Sequence, residues 1–442
     1  GAAAAVILIW VLFVPGWNRN LMSESVAFWR ARIDSVGEKI WDELEAYRSG
    51  ETAELLFYKD GVTATVAVKE ERPEGAAPNR YMTVDGKVDA SSLMDMPQQI
   101  LLAQLPLMTL DSTEAEVMVI GYASGVTTGS ILTHPVRSVV ALEIEKVVME
   151  ASRLFDRVNL NALDDPRTQV IADDARAYLE RSDRRFDVIS SSPSSPWLSG
   201  PAKLVTRESM VLLRDHLKEG GVLCQYVQAY DLDEAGVLTL LRTIQSVFSF
   251  VTVYDVSGAN ILVLASDHPI EFTVTELSES WARPEVRDDL RRAGMGSPCE
   301  FLEWFVAEPK ALAAAIPPGP LNTDDNALLE YRGPQAAGLT VHGQVLGRLR
   351  EGALGPAAFL SDLQPEGPVD PAPLAASCLQ EGARRTAASL ARKKLSTGPD
   401  PDSLWVLAEV ARGENRRLQA MEHLEQVLET WPAHPPSLIA RA

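Results

Sequence analysis

The chain has 442 residues, ample apolar content and a formal net charge of -20, so it is expected to form two or three domains and is a poor candidate for binding nucleic acid. Its three cysteines (Cys224, Cys299 and Cys378) are far apart and form no CxxC pair, and its six histidines include no HExxH motif. We therefore expect neither a disulfide nor a metal site, and a reducing compartment fits this pattern.

Residues 1–16 are predicted to be the end of a truncated transmembrane helix. The apolar run from Ala2 to Val14 is shorter than the roughly 20 residues of a membrane span, and the chain starts without Met. Arg19 and two further arginines follow, and positive residues just beyond a span favour the cytoplasmic side. The prediction is a membrane-anchored protein with its soluble part on the cytoplasmic side. The alternative is a buried hydrophobic N-terminal segment.

Residues 17–92 are predicted to form a small antiparallel β domain. Residues 62–68 alternate between apolar and polar side chains, and the pair Asp85-Gly86 is a strong turn signal after the strand-like residues 80–84. A helix is predicted from about Met96 to Leu105, with Pro97 in its first turn, where proline is tolerated.

Residues 93–333 show the alternation of strands and helices that is typical of a parallel sheet. The predicted fold class is therefore α/β, with a Rossmann-like, doubly wound sheet of the class I methyltransferase type, which follows the small antiparallel β domain. Strands are predicted at about 117–120, 139–144, 168–172, 186–190 and 222–227, with a closing antiparallel pair at 251–254 and 260–265.

The C-terminal part is predicted to be helical. Residues 334–402 are rich in Gly, Pro and Ala, which indicates a linker with short helices. Residues 403–442 contain two amphipathic patterns that end at Trp431-Pro432, and this arrangement resembles one tetratricopeptide unit. We expect these helices to recruit a protein partner.

A glycine-rich loop follows the first strand of the α/β domain. Gly121, Gly125 and Gly129 allow a tight turn and a close approach of the backbone to a ligand at the start of a helix. Glu143 and Asp173 end the next two strands, where carboxylates can accept ribose hydroxyls and the adenine amine. The GxGxxG fingerprint is absent, so an adenosyl-sulfonium ligand fits better than a dinucleotide.

Several ordered motifs of this chain resemble the spermidine synthase (polyamine aminopropyltransferase) family, in its membrane-fused branch. The resemblance covers about residues 17–333 and rests on residues 80–92 (RYMTVDGKVDASS), 95–99 (DMPQQ), 119–127 (VIGYASGVT), 142–145 (LEIE), 186–189 (FDVI), 191–197 (SSPSSPW), 225–230 (QYVQAY) and 321–330 (LNTDDNALLE). It implies binding of decarboxylated S-adenosylmethionine, or of S-adenosylmethionine, as a co-substrate, with no permanently bound cofactor. The donor-binding residues that are predicted in this way are Gln99, Gly121, Ser124, Gly125, Glu143, Asp173 and Asp174.

The acceptor side departs from the family's pattern. The family has one aspartate at the position of Ser124 and two in the loop after the fourth strand, where this chain has the acid-free residues 190–196 (SSSPSSP). Aminopropyl transfer needs carboxylates that hold a cationic amine and accept its proton. Asp95 or Asp173 is left as the candidate base. Asp324 and Asp325 are further candidates, although their segment is equally good turn chemistry.

The predicted function is aminopropyl transfer of the polyamine biosynthesis type to a small-molecule amine. The alternatives are an S-adenosylmethionine-dependent methyltransferase and a non-catalytic nucleotide sensor or scaffold, and a homodimer is also considered. Among the remaining residues, Trp197 and Tyr230 are predicted either as pocket walls or as core, Asp187 as a structural residue and His134 as a helix cap.

Overall fold

The computed structural model describes residues 18–24, 41, 45–46, 49, 52–110, 112, 114–193, 200–230, 232–256, 260–336, 341–363, 369–434 and 436. The chain divides into two compact units, unit 1 (residues 1–95 and 145–156) and unit 2 (residues 96–144 and 157–442). Residues 145–156, which fall within the predicted 93–333 domain, thus cluster with unit 1. The predicted membrane segment, residues 1–16, lies outside the described residues. Within the described part of the chain, no helix is long and apolar enough to cross a membrane.

Helices are distributed along the whole described chain. Their bounds are α1 Arg19–Met22, α2 Met96–Leu107, α3 Val126–Ile131, α4 Lys146–Ser152, α5 Ala175–Glu180, α6 Arg207–Asp215, α7 Glu234–Gln245, α8 Val274–Ala282, α9 Pro284–Arg292, α10 Pro298–Glu303, α11 Pro309–Ala315, α12 Leu328–Ala336, α13 His342–Arg350, α14 Pro371–Gln380, α15 Arg384–Leu395, α16 Pro401–Gly413 and α17 Arg417–Thr430.

Unit 1 contains a four-stranded antiparallel sheet, which confirms the predicted small β domain. Its strands pair in chain order and are β1 Glu54–Asp60, β2 Thr65–Glu71, β3 Asn79–Val84 and β4 Lys87–Ser91. Asp85 and Gly86 both have positive φ, as a two-residue hairpin turn requires. On β2, Val66 and Val68 are fully buried, but Ala67 and Lys69 on the opposite face are buried as well, so burial does not follow the alternating pattern of the sequence.

A buried carboxylate connects α4 to the β1–β2 turn within unit 1. One Glu145 oxygen accepts hydrogen bonds from the backbone N–H and hydroxyl of Thr63 at 2.7 and 2.8 Å, and the other accepts the N–H of Val147 at 3.0 Å at the start of α4. Burial alone would raise the pKa of Glu145, but these hydrogen bonds outweigh it and lower the pKa to about 2. Glu145 is therefore a structural anion.

Unit 2 contains an eight-stranded mixed sheet in the order β12-β10-β11-β9-β8-β5-β6-β7, which confirms the predicted doubly wound fold. Its strands are β5 Glu116–Ile120, β6 Ser138–Glu143, β7 Thr168–Ala172, β8 Phe186–Ser191, β9 Leu217–Gln228, β10 Phe250–Val256, β11 Asn260–Ser266 and β12 Phe305–Ala307. The pairs among β5 to β9 are parallel, and β10 pairs with β11 in the predicted antiparallel manner.

The strand order reverses between β5 and β8. From β5 the chain proceeds outward to β6 and β7, and it then returns to the other side of β5 with β8. In doubly wound sheets, ligands bind in the crevice at the carboxyl ends of the strands where the order reverses. This relationship places the glycine loop, which follows β5, at the expected ligand position.

The helices α14 and α15 lie in the stretch that was predicted as a linker with short helices. Cys378 on α14 and Ala387 on α15 are buried in the same apolar cluster as Leu101 on α2 and Tyr254 on β10. Successive helices from α14 to α17 pack against one another. The segment from 371 to 395 is thus part of the core of unit 2.

Cys299 on α10 and Cys378 on α14 form a disulfide, and both residues are buried. The prediction that no disulfide would form is therefore wrong. It relied on the absence of short cysteine spacings, whereas these two residues are 79 positions apart and meet only because α10 packs against α14. Cys224 is a free and buried cysteine.

Candidate functional site

The loop between β5 and α3 has a backbone that only certain residues adopt easily. Gly121 and Gly125 have φ values of 87° and 81°, and Ala123 between them has a φ of 47°. A Cβ atom at Gly121 would lie 2.8 Å from the backbone oxygen of Ser192. Gly121 and Gly125 are therefore required by their positive φ values. Gly121 is also required because the backbone of Ser192, directly after β8, approaches it closely.

The third glycine of the pattern serves packing. A Cβ atom at Gly129 would lie 2.1 Å from the backbone oxygen of Asn159. The side-chain amide of Asn159 in turn donates a hydrogen bond of 2.9 Å to the backbone oxygen of Ser124. This segment after α4 thereby fixes both the loop and the first turn of α3.

Glu143 lies directly against the glycine loop. It ends β6 and is largely buried, and its Oε2 accepts hydrogen bonds from the backbone N–H groups of Tyr122 at 3.1 Å and Ala123 at 3.3 Å. The pairing of β5 with β6 brings these groups together. The carboxylate predicted for ribose binding therefore also holds the conformation of the loop.

Gln99 and Ser124 meet in the same buried region. The Ser124 hydroxyl donates a hydrogen bond to Oε1 of Gln99, and the Thr127 hydroxyl donates one of 2.9 Å to the backbone oxygen of Gln99. Gln99 lies on α2, which packs against α3. The structure thus unites Gln99, Ser124, the glycine loop and Glu143 at one edge of the sheet.

Asp173 and Asp174 follow β7 and are engaged in local contacts. Oδ2 of Asp173 accepts a hydrogen bond of 2.5 Å from Arg181, and its Oδ1 accepts the backbone N–H of Asp174 at 2.9 Å. Asp174 is the N-cap of α5 and accepts the N–H of Ala177 at 2.8 Å. The carboxylate of Asp173 thus has a cationic partner, Arg181, within the chain, and its role as a base stays a prediction.

Asp95, the other predicted base, belongs to unit 1. Burial raises its pKa above the ordinary aspartate value, partly offset by a hydrogen bond to Ser91 and by the charge of Lys87. A raised pKa makes a carboxylate a better proton acceptor for an ammonium group. Asp95 as a base remains a prediction, with the electrostatics in its favour.

The serines at the end of β8 and directly after it have structural contacts. The Ser190 hydroxyl donates to the backbone oxygen of Leu102 at 2.7 Å, and the Ser192 N–H donates to the backbone oxygen of Ile120 at 3.0 Å. Residues 190–193, the described part of the segment 190–196, contain no acid, as the sequence indicates. Residues 194–197, including Trp197, lie outside the described residues.

A cavity of about 550 Å³ opens beside Asp174, and α5, the segment 200–206 and the segment 323–330 line it. Arg176 and Asp324 form a bidentate ion pair there, with contacts of 2.8 and 2.5 Å. The hydrogen bond from Arg176 lowers the pKa of Asp324, so this carboxylate is a weaker base than an ordinary aspartate, and its role as a base stays a prediction. Arg176 could not be predicted from the sequence, because its partner Asp324 is 148 residues away along the chain.

The remaining candidates have structural roles. Asn322 is buried and accepts the N–H of Leu329 at 3.2 Å, which supports the turn interpretation of the segment around Asp324. Asp187 accepts the N–H of Glu116 at 2.7 Å, so it is a structural residue as predicted. Tyr230 contacts Gln228 through its hydroxyl at 2.5 Å, and it lies next to β9.

His134 is more than the predicted helix cap. Its Nε2 is 2.7 Å from Oε1 of Gln104, and its ring is buried. Burial, together with the charge of Arg283, lowers the pKa of His134 to about 3, so the ring is neutral near pH 7. The amide of Gln104 also donates to Asp289 at 2.8 Å. His134 therefore belongs to a buried polar network between α2, α3 and α9.

Comparison with known proteins identifies relatives of this arrangement. Residues 96–259 match the family described as the spermine/spermidine synthase domain. The polyamine aminopropyltransferase 2 of Pseudomonas aeruginosa is 33% identical over 199 residues, which cover 43% of this chain and 56% of that protein. The polyamine aminopropyltransferase of Aeropyrum pernix is 29% identical over 208 residues, with coverages of 46% and 64%. The chain thus spans less than two thirds of these relatives.

A solved structure also resembles the chain. It is a spermidine synthase in complex with the transition state analogue AdoDATO, with a TM-score of 0.46 and 22% identity. The match covers 51% of this chain and 78% of that one.

Proposed function

We propose that residues 96–259, which match the family described as the spermine/spermidine synthase domain, bind decarboxylated S-adenosylmethionine and transfer its aminopropyl group to an amine. The observation that carries the proposal is the position of Glu143. This carboxylate holds the glycine loop at the point where the strand order reverses, where a nucleoside binds in such sheets.

The donor side combines a carboxylate with a preformed backbone. A carboxylate has about four lone-pair sites, so Glu143 has the capacity to retain its contacts with Tyr122 and Ala123 while it accepts ribose hydroxyls. Gln99 supplies an amide from α2, and the cavity beside Asp174 provides additional room. In this proposal the adenosine part lies along the carboxyl ends of β5, β6 and β7.

The chemistry is a displacement at carbon. The neutral amine nitrogen attacks the methylene beside the sulfonium, a C–N bond forms, and the C–S bond breaks. Methylthioadenosine leaves as a neutral thioether, and the proton of the new ammonium passes to a base. Asp95 is the proposed base, because burial raises its pKa, whereas Asp173 is paired with Arg181.

The proposed acceptor is an amine other than putrescine. The family's acceptor-side carboxylates are replaced by Ser124 and by the acid-free residues 190–196, and a hydroxyl does not compensate a second ammonium charge. We therefore propose an acceptor with fewer positive charges. Among the described residues, no contact favours the alternative reaction, methyl transfer from S-adenosylmethionine.

Calorimetric titration tests the donor site. Decarboxylated S-adenosylmethionine, S-adenosylmethionine and methylthioadenosine are titrated into the parent protein and into Glu143→Ala. The decarboxylated donor should bind most tightly, and Glu143→Ala should weaken its binding by about 1–3 kcal/mol, because buried polar partners lose their match. Glu150→Ala, which removes an exposed glutamate of unit 1, is the matched control and should leave the affinity unchanged. Equal binding by the two glutamate variants would contradict the assignment.

Release of methylthioadenosine over a panel of mono- and diamines tests turnover. Product with a monoamine and little with putrescine supports the proposal, and Asp95→Asn should reduce this rate at least about a hundredfold, as loss of a general base does. Tight donor binding with no product from any amine would instead support the non-catalytic sensor or scaffold.

Other features of the proposal concern location and assembly. Membrane anchoring by residues 1–16, a protein partner at the C-terminal helices and a homodimer stay predictions. The predicted cytoplasmic side also stays a prediction, and the Cys299–Cys378 disulfide weighs against it, since disulfides persist mainly in oxidising compartments. The redox state of these two cysteines, measured in protein isolated from cells under thiol-trapping conditions, tests whether this part of the chain lies on the cytoplasmic side.

A further inference from the structure

A small cavity among the C-terminal helices of unit 2 is surrounded by arginines. It has a volume of about 170 Å³ and lies between the end of α13, the helix α15 and the end of α16. Its charged lining consists of one glutamate, Glu414, and the arginines Arg350, Arg384, Arg385, Arg392 and Arg416. This concentration of positive charge is unexpected in a chain with a formal net charge of -20.

Two of the arginines are neutralised by carboxylates. Arg350 donates to Asp255 at 2.8 Å, and Arg416 donates to Glu414. Glu414 is the acid of the lining, whereas Asp255 is not part of the lining. Neither carboxylate forms an ion pair with the other three arginines.

Arg384, Arg385 and Arg392 have no carboxylate within ion-pair distance among the described residues. Arg384 donates to the backbone oxygen of Gly413 at 3.2 Å, and Arg385 donates to the backbone oxygens of Glu303 and Phe305 at 2.7 and 2.8 Å. Carbonyl oxygens satisfy hydrogen bonds but carry no net charge to balance a guanidinium. Three positive charges of the described structure therefore converge on this cavity without an ion-pair partner.

Two further observations indicate that the cavity suits an anionic ligand. The Nε atom of Arg350 is buried and has no hydrogen-bond partner among the described residues, although buried N–H groups are normally satisfied. Burial and the nearby charge of Arg350 lower the pKa of Arg385, and they outweigh the opposing charges of Glu303 and Asp255. Like charges in a partly dry site repel each other, and a bound anion would relieve this cost.

We propose that this arginine cavity binds a small, doubly charged oxyanion, namely inorganic phosphate or the phosphate of a monoester. Guanidinium groups match the geometry of phosphate oxygens through paired N–H donors. The cavity volume of about 170 Å³ exceeds that of several waters but is below the range of roughly 300–1,000 Å³ for larger organic ligands. The site belongs to the C-terminal helices and is separate from the proposed donor site.

Thermal unfolding and calorimetric titration of the full chain test this proposal. The probes are inorganic phosphate, glycerol 3-phosphate as a monoester, and chloride at matched ionic strength. Phosphate should raise the Tm and bind with a measurable Kd, whereas chloride should do neither. Tighter binding of glycerol 3-phosphate than of phosphate would identify a monoester as the ligand, and the reverse order would identify the free ion.

The variant Arg392→Gln separates binding from folding. Arg392 is exposed and has no hydrogen bond or ion pair among the described residues, so the variant should have an unchanged or higher Tm without phosphate. Its phosphate affinity should fall about tenfold, the size of one charge-assisted hydrogen bond. Arg291→Gln on α9 removes an equally exposed arginine elsewhere and should bind phosphate as the parent does. Equal loss in both variants, or no phosphate effect on the parent beyond that of chloride, would overturn the proposal.

Discussion

The Ser124 hydroxyl donates a hydrogen bond to the side-chain oxygen of Gln99 in the buried contact between the glycine loop and α2. This contact joins two positions that were predicted to bind the donor. It also occupies the place where the resembling family has an acceptor-side aspartate. The hydroxyl keeps the loop in position, yet it supplies neither the charge nor the basicity that a cationic acceptor needs.

Substitution of Ser124 by aspartate should restore part of the acceptor chemistry. Ser124→Asp is expected to increase methylthioadenosine release with putrescine at least about tenfold, because the carboxylate attracts an ammonium group and accepts its proton. The control Ser124→Ala removes the bond to Gln99 without adding charge and should show no such gain. A folded Ser124→Asp variant with unchanged putrescine turnover would show that this position does not determine the acceptor.

Gly129→Ala should destabilise unit 2. The added methyl group would lie 2.1 Å from the backbone oxygen of Asn159, and backbone atoms yield less readily than flexible side chains. Overpacking of this kind costs about 1–3 kcal/mol of unfolding free energy, measurable by denaturant titration.

A second glycine provides the control. A Cβ atom at Gly347 on α13 would meet no described atom within 4 Å, so Gly347→Ala should stabilise the helix by about 0.5–1 kcal/mol. Opposite signs for the two variants are expected. Similar effects of both would mean that Asn159 does not constrain the glycine.

Reduction of the Cys299–Cys378 disulfide should lower the unfolding free energy by about 4 kcal/mol, since the bond closes a loop of 79 residues in the unfolded chain. The expected result is a lower Tm in dithiothreitol. The double variant with serine at both positions should be insensitive to the reductant. Thiol labelling of denatured protein gives an independent check, with one reactive cysteine before reduction and all three afterwards.

Glu145 should make unit 1 sensitive to acid. Its pKa is about 2 in the folded protein, against 4.5 as the ordinary value. A depressed pKa contributes stability that is complete above the unfolded value and is lost as the pH falls towards the folded value. The unfolding free energy should therefore decrease between about pH 5 and pH 2.

Glu145→Gln removes the charge from the same position. It should lower stability at pH 7 by about 1–3 kcal/mol, through weaker bonds to Thr63 and Val147, and it should flatten the acid dependence. The exposed pair Lys59–Glu150 offers a control, because Glu150→Gln should change neither quantity appreciably. An unaltered pH profile in Glu145→Gln would assign the acid sensitivity to other carboxylates.

The sequence by itself determined the features that arise from local patterns. Alternating apolar residues and the Asp85-Gly86 pair predicted the antiparallel sheet of unit 1, and the spacing of apolar runs predicted the strands of the doubly wound sheet. The glycine loop and Glu143 were identified for the same reason. Backbone conformation and strand position restrict which residue types occur at fixed, short spacings along the chain.

Only the tertiary structure decided which distant residues meet. It joined Cys299 to Cys378, paired Arg176 with Asp324, and gathered arginines from α13, α15 and the loop before α17 around one cavity. It also showed that Asp173 is paired, which the residue type alone did not reveal. Contacts between positions far apart in the chain depend on how helices and strands pack. No periodicity or spacing in the sequence records such packing, so the glycine loop and Glu143 could be located from the sequence whereas the arginine cavity could not.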